Sequence, residues 1–473
     1  MQLSLWHETF YLVTAKKTTK MISHNKLNNQ SLAGIGSGQI QNGKEIKLMV
    51  KISALILLLF LLKPVANYSQ TAGSNSLNDL IKEVIQNNPQ LKAAKDQTLA
   101  ENTKVNQVTA WDPPQVGISF FQTPIQSLNP IKDGMETDYF IQQTFPFPGK
   151  LGNMGEAASY NTQMYREQYS ALEKKIIKDL KSSYYELYFI EKKIEINKEN
   201  QELLKQLNDI ALKQYEVGTG NQSDILRAQT ELSTLINDGI NFLKEKRNVE
   251  TMMNIILSRP ADSPFPEIKE IMDTIPDWTY TMLADLAYSN RPELKAMQFN
   301  VEMNKSELNA SKLEYFPDFM VQLMYKNMAN TTSDYWSAMV GVNIPLAFWS
   351  KDKFTGKVQE NEIKISSAQN QLSSMKNMVS GDVQNALIKI ESSKNTMDLY
   401  KNSVIPQAEQ TLQSTLAAYQ TGKTEFLMFI DAYKMVLMSK LDYYMAEMNY
   451  MQSQAMLEQA VGLNVNQIKE RIK

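Results

Sequence analysis

The sequence predicts a mainly α-helical fold, laid out twice in tandem, with a pair of β-strands long enough to cross a bilayer set into each copy. Three observations predict it. Short motifs return in the same order about two hundred residues later. Some sixty residues after the first strand pair contain no proline, and the strand candidates alternate apolar with polar side chains.

The repeat is the firmest of the three. NPQLKAA at Asn88–Ala94 returns as RPELKAM at Arg291–Met297, and Trp111 and Pro113 return as Tyr315 and Pro317. Phe145-Pro146 corresponds to Ile344-Pro345, and YEVGTGNQSDILRA (Tyr215–Ala228) corresponds to YQTGKTEFLMFIDA (Tyr419–Ala432). The copies are placed at 74–260 and 280–473. Between them, 261–279 forms a linker within a proline-rich stretch that carries Pro260, Pro264, Pro266 and Pro276.

Ahead of the first copy lies the uninterrupted apolar run Ile52–Leu62, preceded by Lys47 and Lys51 and followed by small and polar residues. That is the layout of a secretory signal peptide, placed at 49–70. The run is about half the roughly 20 residues that a transmembrane helix needs. Met49 opens the signal, which makes 1–48 an over-called or disordered extension; a true cytoplasmic extension is the alternative.

Each copy then follows one plan. Helix is expected over Leu77–Ala110 and Tyr280–Glu314. Strands are expected over Gln115–Gln122 with Asp138–Phe145, and over Asp318–Lys326 with Tyr335–Ile344. Phe319, Val321, Leu323 and Tyr325 share one side of their strand, and Trp336, Ala338, Val340 and Val342 share one side of the next. Such lengths suit tilted membrane strands of about 9–11 residues. Four strands cannot close a barrel on their own.

The proline-free stretch Leu151–Glu216 reads as one helix, about 90–100 Å long at 1.5 Å per residue. A helix of that length is stable only beside others. On the final helix Ile430, Leu437, Tyr444 and Met451 repeat every seven residues, while Met428, Met435, Met438 and Met445 form a second stripe. The stripes lie roughly 200° apart, so this helix wants neighbours on both sides, as in a wall of helices.

Candidate chemistry is sparse. With 49 basic and 51 acidic residues the formal charge is −2, and no long basic run exists, so nucleic acid is not an expected partner. The chain has no cysteine, and its only histidines are His7 and His24. Disulfides, thiolate chemistry and a serine–histidine nucleophile are therefore excluded downstream of the signal, and no catalytic residue, cofactor or resident metal is expected. In TFPFPGKL the Gly149-Lys150 pair lacks the following Ser/Thr and the leading glycine of a phosphate loop. Pro146 and Pro148 instead end a strand by removing donors, Gly149 lets the chain turn, and Pro345 marks the matching junction in the second copy. Of 26 methionines, 23 lie beyond Met49; thioethers are soft metal ligands, but their helical spacing favours gap-filling packing.

The strongest local motif is the turn that ends each long helical run. Tyr215, Gly218, Asp224 and Ala228, matched by Tyr419, Gly422 and Ala432, read as a helix end, a glycine turn and a new helix that Asn221, Ser223 or Asp224 can cap. An αα-hairpin corner is the plain reading; its presence in both copies makes the tip a candidate contact surface as well.

The duplicated plan and the two tip motifs together resemble the TolC-type outer-membrane efflux family over roughly 74–472. FPFPGKLG is similar to the strand-to-helix junction of its heavy-metal, RND-associated branch, a feature that the second copy, IPLAFWSKDKF, lacks. The resemblance implies a homotrimer in the outer membrane of a Gram-negative bacterium. Each chain would give four strands to a shared twelve-stranded β-barrel, and the helices would form a long α-helical barrel, or tunnel, in the periplasm with an equatorial belt at 261–279. It implies a passive, non-enzymatic channel of a tripartite efflux or type I secretion system. Its partners would be outer-membrane lipids, a periplasmic adaptor (membrane fusion) protein and, through it, an inner-membrane pump of RND or ABC type. By position, Tyr215, Gly218, Asp224, Tyr419, Gly422 and Leu427 would meet the adaptor, Asp431 would be a gate acid, and Met428 stands where a second gate acid is expected. The rival readings are a periplasmic coiled-coil adaptor or scaffold, which normally has one helical hairpin, and an enzyme, disfavoured by the missing nucleophile–base pairs.

Overall fold

The computed structural model describes residues 76–265, 268, 276–328, 333–345 and 349–472. The expected signal peptide and the extension before it lie outside these residues, as does part of the linker.

The first copy runs α1 (Leu77–Asn87), α2 (Pro89–Thr109), β1 (Gln115–Phe121), α3 (Pro130–Asp133), β2 (Glu136–Phe145), α4 (Lys150–Glu216) and α5 (Gln222–Leu257). The second runs α6 (Tyr280–Asn290), α7 (Pro292–Leu313), β3 (Asp318–Met328), β4 (Tyr335–Asn343), α8 (Lys351–Leu399), α9 (Ile405–Gln420), α10 (Phe426–Val461) and α11 (Val465–Ile472).

The opening helix expected in each copy is two helices, because each crosses an X-Pro step. At Asn88 the backbone is extended (φ −62°, ψ 122°), since a residue before proline is pushed out of the α region. Asn88 Oδ1 accepts from the Gln90 and Leu91 amides, and Asn88 Nδ2 donates to the Ile256 carbonyl 2.9 Å away. Arg291 takes the same conformation before Pro292 but makes no side-chain cap; its buried guanidinium pairs with Asp382 at 2.7 Å.

The long helices differ too. α4 is continuous for 67 residues, whereas a π-helical turn, Tyr400–Val404, separates α8 from α9. Pro406 sits in the first turn of α9. Its ring cannot coexist with a regular carbonyl four residues earlier, and a widened turn is a common accommodation.

No described helix is long and apolar enough to cross a membrane. The strands form one antiparallel sheet in the order β1-β2-β3-β4, so the two hairpins join through β2 and β3. Register fixes the faces: Ile118, Tyr139, Tyr325 and Trp336 stand in one row, and Val116, Ile141, Leu323 and Ala338 in the next. This side is apolar and exposed; Val116, Trp336 and Val340 are each at least 74 % accessible. The opposite side carries Glu136, Asp138, Gln142, Asp318, Gln322 and Lys326. There Lys326 bridges Glu136 at 2.5 Å and Asp138 at 3.6 Å. Gly117 has no side chain because a Cβ would meet the Phe140 ring at 2.4 Å.

The helices pack as a layer around α4, which lies against α2, α5, α7 and α10, while α8 lies against α7 and α10. The core is accordingly divided into patches. One holds Leu80, Val84, Leu180, Leu187, Met253 and Leu257; another holds Leu283, Val379, Val383 and Leu457; a third gathers near the two turns. Each fully buried leucine contributes about 1.5–3 kcal/mol by leaving water.

Candidate functional site

Two regions hold the residues singled out by sequence: the strand-to-helix junction and the paired tips. At the junction β2 ends at Phe145, as expected from the prolines that follow. Gly149 occupies the N-cap of α4 at φ 90°, a left-handed conformation that most side chains resist. Lys150 is the first helical residue. Its ammonium pairs with Asp318 at 3.3 Å, and the Phe147 amide donates to the same carboxylate at 2.8 Å. Phe147 stacks on Phe316 with ring centroids 4.6 Å apart, and Trp111 meets Phe145 edge-on at 5.1 Å. The lysine thus ties the first copy to the start of β3 in the second, a long-range role that sequence spacing does not reveal. Pro345 accepts a hydrogen bond from Ser350 through its carbonyl at 2.9 Å. Residues 346–348 of the matching junction lie outside the described residues.

The tips are the same turn made twice. Gly218 (φ 78°) donates its amide to Tyr215 at 3.0 Å, and Thr219 donates to Gln214 at 2.8 Å. Gly422 (φ 69°) donates to Tyr419 at 3.0 Å, and Lys423 to Ala418 at 2.9 Å. Both sets are the paired hydrogen bonds of a Schellman motif, which satisfies the last carbonyls of a helix and needs a left-handed residue where glycine stands. Asn221 occupies the N-cap of α5 without a side-chain capping bond, and Asp224 lies in the first turn, where its charge complements the helix dipole.

The two hairpins meet at this end. Gln214 Nε2 donates to the Tyr419 carbonyl at 3.2 Å, and Lys434 on α10 pairs with Glu231 on α5 at 2.9 Å. Tyr419 packs against Phe426 and Phe429 at centroid distances of 5.3 and 6.4 Å, in a patch that includes Tyr433, Leu204, Leu207 and Leu235. Burial pushes the Tyr419 phenol up to about 12, with the nearby Asp224 carboxylate adding to the effect. The Tyr433 phenol is raised as well, by burial first and Glu231 second.

Tyr215, Gly218 and Gly422 are exposed, and Leu427, Met428 and Asp431 are exposed near the start of α10. Asp431 makes no ion pair or hydrogen bond among the described residues, and Met428 lies one turn before it.

The family model for outer membrane efflux proteins matches residues 80–248 and 283–463, one segment in each copy. The chain belongs to the outer membrane efflux protein family. Solved structures show the same fold. CusC superposes with a TM-score of 0.72 at 16 % identity, covering 83 % of this chain and 93 % of that one. The outer membrane protein VceC of Vibrio cholerae gives 0.69 at 15 % identity, covering 82 % and 96 %. An uncharacterised protein of Haemophilus influenzae is 20 % identical over 226 residues, 46 % of this chain. The match spans 50 %, about half, of that relative. The four-stranded sheet and the helical layer around α4 are the two parts of the fold that the chain shares with these structures.

Proposed function

We propose that the chain is the outer-membrane channel of a tripartite export system, assembled as a homotrimer that passively conducts what an inner-membrane pump delivers through a periplasmic adaptor. The observation that carries this reading is the sheet. One face is largely apolar and open, the other carries the charged residues, and among the described residues β1 and β4 are both unpaired along their outer edges. A four-stranded sheet with a lipid-compatible face cannot leave two open edges in a bilayer. Pairing β4 of one chain with β1 of the next removes them, and three chains give twelve strands.

The helical layer then continues the polar side of the sheet into the periplasm. The interlocked tips, with Tyr419 beside Asp224 and Lys434 on Glu231, support a closed resting state at the far end. The unpaired Asp431 supports a gate acid, and the exposed turns at Gly218 and Gly422 support adaptor docking. No bond chemistry is assigned to the chain.

Reconstitution tests the reading. The purified chain is expected to be a detergent-requiring trimer that inserts into planar bilayers and passes small, cation-selective currents. A soluble monomer without conductance would sink it. Asp431→Ala is expected to raise conductance and lower cation selectivity, because it removes the fixed negative charge at the constriction. Unchanged values for both would remove Asp431 from the gate.

A further inference from the structure

The loop between β1 and β2, residues 122–135, is built the wrong way round for water. Its polar groups bond to one another. Ser127 Oγ donates to Asp133 Oδ2 at 2.7 Å, the Asn129 amide donates to Ser127 Oγ at 3.0 Å, and Asn129 Oδ1 accepts from the Lys132 amide at 3.2 Å. The amides of Ser127, Gly134 and Met135 donate to the carbonyls of Pro124, Pro130 and Phe121. Gly134 is buried, and a Cβ there would stand 2.5 Å from the Pro130 carbonyl oxygen. The apolar side chains are left outside: Ile125 and Leu128 are essentially fully accessible, and Ile131 and Met135 are exposed. A lone exposed leucine needs no explanation, but four large apolar side chains on one braced loop form a patch that calls for a cover. The residues that connect the second hairpin, 329–334, read ANTTSD and include no large apolar side chain.

The adjoining sheet identifies the cover. On its largely apolar face Thr137 and Asn327 pair just beyond the Tyr139–Tyr325 row, so polar side chains begin there. From the Tyr139 row to the Phe145–Phe319 row is six residues, roughly 20 Å along the strands and about 15 Å along the axis of a barrel at the usual tilt. The apolar band of an outer-membrane barrel is about 25 Å tall, so these rows fall about 10 Å short. The helices join the strands at the opposite end of the sheet, which leaves the loop at the outer end, where the band stops. Lys132 and Asp133 are the only charged residues of the loop and cancel, so it has no net attraction for an anionic headgroup. What it offers is hydrocarbon.

We infer that this loop lies in the outer leaflet of the membrane, with Ile125 and Leu128 among the lipid acyl chains, and extends the apolar band beyond the strands. The inference rests on the channel reading, which sets the largely apolar sheet face against lipid. The bracing then has a purpose. Irregular backbone enters hydrocarbon at a high cost unless its polar groups are already paired, and here Ser127, Asn129 and Asp133 pair them. Only the first hairpin carries the anchor, so each chain has one lipid-seeking connection and one polar connection.

The chain has no cysteine, so a single introduced cysteine carries a spin label without background. The full chain is labelled in turn at Ile125→Cys, Leu128→Cys and, on the apolar face of β4, Val340→Cys, and reconstituted into phosphatidylcholine vesicles. Collisions of each label with oxygen, which concentrates among acyl chains, are compared with collisions with a water-soluble nickel chelate. Oxygen is expected to prevail at 125 and 128, as at 340. All three side chains are exposed, so the substitutions leave the core intact, and bilayer conductance of each labelled protein checks this. Nickel prevailing at 125 and 128 while oxygen prevails at 340 overturns the inference and leaves the channel reading standing. Labels at 128 shielded from both reagents and coupled to one another between chains also overturn it, because the loops then cover each other over the pore. Nickel prevailing at 340 overturns the channel reading and the inference together.

Discussion

At the first tip Tyr215 stands in solvent, with exposed Gln222 and Gln229 on the helix that follows; at the second, the residues in the same places, Tyr419, Phe426 and Tyr433, are buried together. The backbone hydrogen bonds of the two turns match to within 0.1 Å, from the glycine amide at 3.0 Å in both to the next amide at 2.8 and 2.9 Å. A turn is a local bargain among five or six residues, and glycine at the left-handed position settles it. Burial is decided by what crosses from the other hairpin, here Leu204, Leu207 and Leu235 against Phe429 and Tyr433. Duplication thus preserved the turn while the two surroundings diverged.

The largest way to break the comparison is to hollow the second tip. Phe429→Ala should lower stability by about 3–5 kcal/mol through lost burial and a residual cavity. Gln229→Ala, on the exposed face of the first tip, should stay within about 0.5 kcal/mol. Denaturant titration of the purified protein checks both, and equal effects would mean that the tips are not differently embedded.

A pH titration sharpens the same contrast. With its phenol raised to about 12 from 10.0, Tyr419 stays neutral in the folded tip when the unfolded chain has begun to ionise. Its contribution to stability is complete below pH 10 and is lost as pH rises through about 12. Phenolate absorbance should show this late step in wild type and lose it in Tyr419→Phe. Tyr215→Phe should leave the step in place.

Glycine substitutions test what the tips share. Gly218→Ala and Gly422→Ala should each cost about 1–2 kcal/mol, because both positions need a left-handed backbone. A large inequality would show that the turn is not a local unit. The smallest effect belongs to the ion pair across the hairpins: Lys434 is 48 % exposed and Glu231 18 %. A double-mutant cycle of Lys434→Met and Glu231→Gln should yield about 0.2–1 kcal/mol, since an exposed partner is largely screened.

Much of this architecture was legible in residue order. The tip turns follow from glycine at matched places, the strands from alternation, and α4 from sixty-odd residues without proline. The breaks at Asn88 and Arg291 were legible too, because each precedes a proline, but the apolar spacing on either side masked them. The π turn before Pro406 belongs to the same class. Other features needed contacts between distant residues. Nothing near Lys150 announces Asp318, 168 positions away, although Phe426 and Tyr433 after Tyr419, against Gln222 and Gln229 after Tyr215, do mark which tyrosine is covered. The methionine stripe of α10 was visible as a period. Its exposure was not, because a neighbour on that side is a property of the packed layer.

One consequence follows from the seam between β2 and β3. If each copy were a separate, half-length polypeptide, six identical subunits could close the same ring, and symmetry would compel all six tips to be alike. In the proposed trimer, fusing two copies in one chain turns that sixfold sameness into threefold alternation. Substitutions such as glutamine at 229 and tyrosine at 433 can then accumulate on one set of tips without appearing on the other. On the channel reading proposed above, that alternation lets the covered tips at Tyr419 and the open tips at Tyr215 take on different duties within one ring.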